Sequence, residues 1–421
     1  MTSASFEKSG SIYSAQPSWT DRMCKRFVIS ALNRFSEGYL VIQDGETKYS
    51  FGDDNAEITA TIQVHEPAAY RSFILAGSTG AGEAFMKGYW SSPNLLNVVR
   101  IFCQNLNKLN QIDHSRPLIN RITAWMLNLR NINSLKGSRK NISAHYDLGN
   151  EFFSLFLDPT MMYSSAIYDS DANTLTQAAV NKLDTVCRKL KLNQQDHLLE
   201  IGTGWGGLAI HAATHFGCKV TTTTISRKQY EFATEAVKKA GLSDKVTVLL
   251  KDYRELDGKF DKLVSIEMIE AVGYEYYRQY FATCSNLLKE QGLMCLQAIT
   301  IADQRFEEAR TSEDFIKRYI FPGGCLPSIS IIADRVAKYT DLQMVHLQDI
   351  GRDYARTLAD WRQAFLTHLA AIKQLGYSES FCRMWEYYLC YCEGGFIERA
   401  ISTSQIVLAK PLAHVDHFSA K

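Results

Sequence analysis

The chain has 421 residues, 46% apolar and 22% charged, with ten cysteines and eight prolines. That length allows two or three domains with sizeable cores, and the composition excludes a disordered, collagen-like or proline-rich chain. The net charge of +1 is too small to mark the whole chain as a nucleic-acid binder, yet between Arg100 and Lys140 eight basic residues stand against Asp113 alone. Such a patch favours phosphates, whether of nucleic acid or of an anionic membrane surface.

The start, Met1 to Lys8, has no apolar core behind a basic stretch, so no secretory signal is expected. No apolar run approaches the roughly 18–20 residues of a membrane-spanning helix. The scattered cysteines read as reduced thiols. A cytoplasmic chain is expected.

In chain order, a helix is predicted around Arg22–Phe35, then strands at Tyr39–Ile42, Thr47–Phe51 after the Asp44-Gly45 turn, and Ile58–Val64. Helices follow at Tyr70–Leu75, Gly82–Gly88 and Asn94–Leu109. These form a small α+β unit, residues 1–135. Leu118, Ile119, Ile122, Trp125, Met126 and Leu129 share one face of a helix with Arg116, Arg121 and Arg130 around it. This helix either docks on its own protein or lies in the interface of an anionic bilayer. Ser134 to Lys140 reads as a basic linker.

Over residues 136–421 strands and helices alternate, which predicts a mainly parallel sheet covered on both faces. Strands are predicted at His197–Ile201, Lys219–Ile225, Val246–Leu250, Lys262–Glu267, Leu293–Thr300, Met344–Asp349 and Gln405–Ala409. Helices are predicted at Leu175–Leu190, Gly207–Phe216, Arg227–Ala240, Tyr276–Leu288, Ile329–Lys338 and Leu358–Leu375.

The segment Leu198-Leu199-Glu200-Ile201-Gly202-Thr203-Gly204-Trp205-Gly206-Gly207 joins a strand to a helix. Its glycines let a ligand approach the backbone at a helix N-terminus. A dinucleotide reading requires an acid at the end of the next strand, about 20 residues on, for a ribose hydroxyl. That strand ends in Thr221 to Ser226 without one, so the dinucleotide reading fails.

Glu200 to Gly206 instead resembles the acidic-x-Gly-x-Gly-x-Gly loop of S-adenosylmethionine-dependent methyltransferases. His145 to Phe153, Leu157 to Ala166, Thr224 to Gln229, Asp252-Tyr253-Arg254, Met268 to Gly273 and Phe321 to Ser328 resemble, in order, motifs of the cyclopropane-fatty-acyl-phospholipid synthase family. The resemblance runs from about residue 141 to 410, and Gly82 to Trp90 is similar to part of the small N-terminal domain of bacterial members.

The resemblance implies an α/β class I methyltransferase fold with seven strands and a Rossmann-like sheet. It implies a cofactor site lined by Tyr163, Ser164, Leu198, Leu199, Glu200, Ile201, Gly202, Thr203, Gly204, Trp205, Gly206, Thr224, Ile225, Ser226, Arg227, Lys228, Gln229, Tyr253 and Arg254. The implied reaction methylates the double bond of unsaturated acyl chains in membrane phospholipids, with ring closure to a cyclopropane. The enzyme is then expected to work peripherally on the inner membrane face. A methyl- or methylene-branched product is the alternative within the fold, and a catalytically dead lipid binder is the alternative outside it. No nucleic-acid recognition motif is present, and a homodimer is left open.

An alkene is a weak nucleophile, and methylation leaves a carbocation that must be stabilised and then deprotonated. The resemblance implies a bicarbonate as that base, with Glu270, Tyr354 and the Ile299 backbone amide around it. Ser165 stands where the family has Cys, Gln297 where it has His, and Ala271 follows Glu270 where His is usual. Ser and Gln can still hydrogen-bond an anion. Cys392 is assigned to the site lining. His211 and His215 have metal-ligand spacing but no third ligand, and no metal is expected. Trp385, Tyr387, Tyr388 and Tyr391 read as core, or as the wall of an acyl-chain pocket.

Overall fold

The computed structural model describes residues 17–108 and 148–415. The basic helix expected near 116–131 and the linker at 134–140 lie outside the described residues, as do His145 to Asp147. The chain forms two compact units, Met1–Arg116 with Tyr377–Gly394, and Pro117–Gly376 with Gly395–Lys421.

In the first unit, Ser18 and Asp21 form a capping box that starts the helix Trp19–Leu32. Strands β1 (Tyr39–Asp44), β2 (Thr47–Gly52), β3 (Thr59–Val64) and the short β4 (Trp90–Ser91) build a sheet in the order β2-β1-β3-β4. Burial alternates along β1, with Leu40, Ile42 and Asp44 turned inward. The two helices expected at Tyr70–Leu75 and Gly82–Gly88 are one kinked element, Ala68–Met86, broken at Ala76 and at Gly77 with φ 51°. The helix Glu379–Ile397 belongs to this unit as far as Gly394, and in it Tyr387 packs 5.8 Å from Phe85 and 6.5 Å from Trp90. Trp385, Tyr387 and Tyr388 are buried. Their burial accords with the core reading of this aromatic run, while Tyr391 is half-buried.

The second unit is built on a seven-stranded sheet: β5 (His197–Ile201), β6 (Lys219–Thr224), β7 (Val246–Leu250), β8 (Phe260–Ile266), β9 (Leu288–Ile301), β10 (Gln343–Asp349) and β11 (Ile401–Ala409). Their order is β10-β11-β9-β8-β5-β6-β7. From β9 to β7 neighbours are parallel, while β11 runs antiparallel to both β9 and β10. Leu198, Leu199, Leu263, Val264, Met294 and Leu296 are fully buried in these strands, as expected when helices cover both faces. The capping box of Thr174 and Gln177 starts the helix Leu175–Lys189, and Ser226 caps Arg227–Lys239.

The chain runs from β5 outward to β6 and β7, then returns to place β8 on the other side of β5. The strand order therefore reverses between β5 and β8. In open α/β sheets ligands bind beyond the carboxyl ends of the strands at such a point. The glycine loop follows β5, and Glu267 follows β8.

Candidate active site

At the end of β5, Gly202, Gly204 and Gly206 adopt φ of 105°, 53° and 91°, the left-handed region that glycine enters freely. A Cβ placed on Gly204 meets nothing within 4 Å, so the loop borders open space there. The N-terminus of the helix Gly207–His215 follows directly, and its amides favour a polar or anionic group. Glu200 is buried, and its Oε2 has no hydrogen-bond partner among the described residues. Burial raises its carboxyl to about 8. An open glycine cradle beside an unpartnered acceptor suits the amino-acid portion of S-adenosylmethionine.

The residues expected to line the cofactor site are each held by contacts of their own. Trp205 Nε1 donates to Asn150 Oδ1 at 2.8 Å, and its ring lies 5.0 Å from Phe153. Tyr163 packs 5.2 Å from both Phe153 and Trp361. Thr224 Oγ1 donates to Gln229 Oε1, and Ser226 Oγ accepts from Gln229 N. Tyr253 is buried against Tyr280, while Arg254 is paired with Asp252 at 2.7 Å and lies over the Tyr253 and Tyr276 rings.

Three segments converge beyond β8 on a residue that sequence reasoning left as the end of a strand. Glu267 Oε1 accepts from Ser165 N at 2.9 Å and from Gln297 Nε2 at 2.8 Å. Its Oε2 accepts from the Tyr354 hydroxyl at 2.7 Å. Gln297 comes from β9 and Tyr354 from the helix Gly351–Thr367. That helix also clamps the 163–168 segment, with Thr357 Oγ1 accepting from Ala166 N and Asp353 Oδ1 from Tyr168 N. The signal in the sequence was an acid at the carboxyl end of a central parallel strand.

Glu270 is turned the same way. Ile299 N donates to its Oε1, while Oε2 is buried without a partner among the described residues. Burial, reinforced by the neighbouring Glu267 charge, raises Glu270 to about 8. Burial raises Glu267 as well, opposed by its bonds to Tyr354, Gln297 and Ser165 and by the Lys182 charge. Lys182 is fully buried and donates to Ser164 Oγ at 2.9 Å.

The expected bicarbonate contacts are therefore not those observed. The Ser165 hydroxyl donates to the Ala166 carbonyl, and only its backbone N–H reaches the carboxylate. The Ser165 N–H and the donors of Gln297, Tyr354 and Ile299 reach Glu267 or Glu270, and Gln297 Nε2 also lies 3.3 Å from the Ser165 carbonyl. With these donors engaged, a further anion would meet the Glu267 carboxylate without free donors to hold it and would be repelled, so these residues do not fit a bicarbonate. Cys392 lies on the helix Glu379–Ile397, in the first unit. His211 Nε2 bonds to Asp184 Oδ1 at 2.8 Å, with the His215 ring 4.5 Å away.

The reversed seventh strand, the glycine cradle after β5 and the acids after β8 define an S-adenosylmethionine-dependent methyltransferase. The family model for mycolic acid cyclopropane synthetase matches residues 133–406. Tuberculostearic acid methyltransferase UfaA1 of Mycobacterium tuberculosis is 38% identical over 365 residues, 85% of this chain and 84% of its own. The cyclopropane-fatty-acyl-phospholipid synthase of Escherichia coli is 37% identical, over 85% of this chain and 89% of its own. The solved structure of mycolic acid cyclopropane synthase CmaA1 complexed with SAH and CTAB superposes with a TM-score of 0.61 at 31% identity, over 65% of this chain and 98% of that one. The chain belongs to the mycolic acid cyclopropane synthetase family.

Proposed function

We propose that the enzyme transfers a methyl group to the double bond of an unsaturated acyl chain in a membrane phospholipid and closes a cyclopropane ring. The observation that carries this reading is the pair of half-buried carboxylates, Glu267 and Glu270, beyond β8 and beside the strand that leads into the glycine loop. Methylating an alkene creates positive charge on carbon, and a shielded carboxylate stabilises that charge without adding water to it. Tyr163, Trp361 and Tyr354 add aromatic faces nearby, which also favour a cation. The names of the Escherichia coli and Mycobacterium tuberculosis relatives support a lipid acyl substrate.

The substrate lies in a bilayer, so the enzyme works peripherally, on its cytoplasmic face. No helix among the described residues is long and apolar enough to cross a membrane. In the first unit, Trp19, Met23 and Phe27 are exposed along one helix face at 68%, 39% and 58%, with Arg22 and Arg26 exposed beside them. Apolar anchors edged by arginine suit an anionic headgroup layer. The basic residues between Arg100 and Lys140 add to the same attraction.

The test is incubation with methyl-labelled S-adenosylmethionine and vesicles of unsaturated phospholipid. Mass spectrometry of the released fatty esters should show one added carbon in a ring. Label retained in a methyl or methylene branch would replace the product, and unlabelled lipid would reject the substrate.

A further inference from the structure

We propose that Glu267 is the base of this reaction, a carboxylate carried by the chain itself to the position where the substrate cation sheds its proton. The inference rests on the acyl-methylation reading above.

The geometry sets which oxygen acts. Each carboxylate oxygen has two lone-pair positions. Oε1 fills both, with Ser165 N and Gln297 Nε2. Oε2 accepts only the Tyr354 hydroxyl among the described residues and keeps one position open. The buried Lys182 ammonium adds a favourable charge. Glu270 accepts one backbone bond at its Oε1 from Ile299 and holds its proton at neutral pH. Of the pair, Glu267 is the member whose anion is supported.

The backbone carries a second, independent observation. Glu267 has φ 48°, a left-handed conformation unfavourable for a residue with a side chain. It is held there by its own N–H, which donates to the Gln297 carbonyl at 2.8 Å. A left-handed, half-buried carboxylate gripped from three segments is a functional arrangement rather than a packing one.

S-adenosylmethionine supplies an electrophilic methyl, to which the alkene π pair bonds as the sulfur–carbon bond breaks and its pair returns to sulfur. The resulting cation carries the new methyl on the neighbouring carbon. Glu267 Oε2 takes a proton from that methyl, and the released C–H pair forms the third ring bond. Glu267 leaves the step as a neutral acid and returns the proton to solvent before the next turnover.

Glu267→Gln keeps the size of the side chain and removes the base, so turnover should fall about 100-fold or more, with S-adenosylmethionine affinity by calorimetry within about twofold. Glu267→Gly relieves the left-handed strain and leaves room for a small anion. Added formate or bicarbonate should restore turnover to that variant and leave the wild type unchanged. Wild-type turnover that survives in Glu267→Gln, or that falls when bicarbonate is removed from the wild type, would overturn the proposal. So would loss in both variants with no anion rescue, the pattern of a purely structural glutamate. A wild type that transfers no methyl to the lipid would instead reject the substrate reading, and the base with it.

Discussion

Gln405 and Gln297 face each other across β11 and β9, and Gln405 Nε2 donates to Gln297 Oε1 at 2.8 Å. The direction of that bond is set further back. Lys189 can only donate, and its Nζ lies 2.6 Å from Gln405 Oε1. Gln405 must then present its nitrogen to Gln297, and Gln297 its nitrogen to Glu267. A lysine on a covering helix thus orients, through Gln405, the Gln297 amide that bonds Glu267.

Lys189→Met should release this orientation while filling similar volume. Turnover is expected to drop several-fold, with S-adenosylmethionine affinity unchanged, because the Gln297 amide would no longer be fixed with its donor toward Glu267. Steady-state kinetics beside calorimetry checks this. Unchanged kcat would show that Gln297 is oriented by other contacts.

Gly204→Val should abolish S-adenosylmethionine binding. The wild-type φ of 53° makes the substitution cost about 1–2 kcal/mol in backbone strain. The new side chain would project into space that the protein leaves open. A folded variant, verified by circular dichroism, that still binds the cofactor in calorimetry would contradict the loop assignment.

The seven strands were legible because short apolar runs alternate with turn residues and helical stretches. Even there β9 begins at Leu288 rather than Leu293, since Lys289, Glu290 and Gln291 are exposed and carry no apolar signal. Ala76 and Gly77 break the helical pattern, so a continuous kinked element read as two helices. The return of Glu379–Ile397 to the first unit depends on contacts distant in sequence, invisible to periodicity. At the site, the glycine spacing pointed to the loop after β5, and Glu270 came from the family resemblance. Glu267 was hidden because a strand-end acid reads as a boundary until Ser165, Gln297 and Tyr354 are seen around it.

Glu270→Gln should change the pH dependence of stability. The folded carboxyl titrates near 8 against an ordinary 4.5. The native state therefore holds a proton that the unfolded chain releases in this window. The associated stability is full below about pH 4.5 and is lost as pH rises toward 8. Relative to wild type, Glu270→Gln should gain melting temperature progressively between pH 5 and pH 8. A constant difference between the two melting curves across that range would show that Glu270 ionises normally in the fold.

The exposed face of Trp19–Leu32 gives the last prediction. Trp19, Met23 and Phe27 follow one another at four-residue intervals and share one side of the helix. Burying such side chains in an interfacial layer is favourable by about 1.5–3 kcal/mol each when complete, and less when insertion is partial. Trp19→Ser with Phe27→Ser should therefore weaken vesicle binding about 10-fold or more, at every salt concentration. Arg22→Glu with Arg26→Glu should act differently, because each basic residue near an anionic surface contributes about 1 kcal/mol through screened charge. That pair should lose binding to anionic vesicles at low salt and match the wild type on zwitterionic ones. Sedimentation with both vesicle types at two salt concentrations separates the two effects. If neither double variant alters sedimentation, this face does not meet the bilayer, and the attraction must come from the basic residues between Arg100 and Lys140. Charge reversal of Arg121, Arg130, Arg139 and Lys140 is the matching experiment on that run, whose residues 109–140 lie outside the described structure.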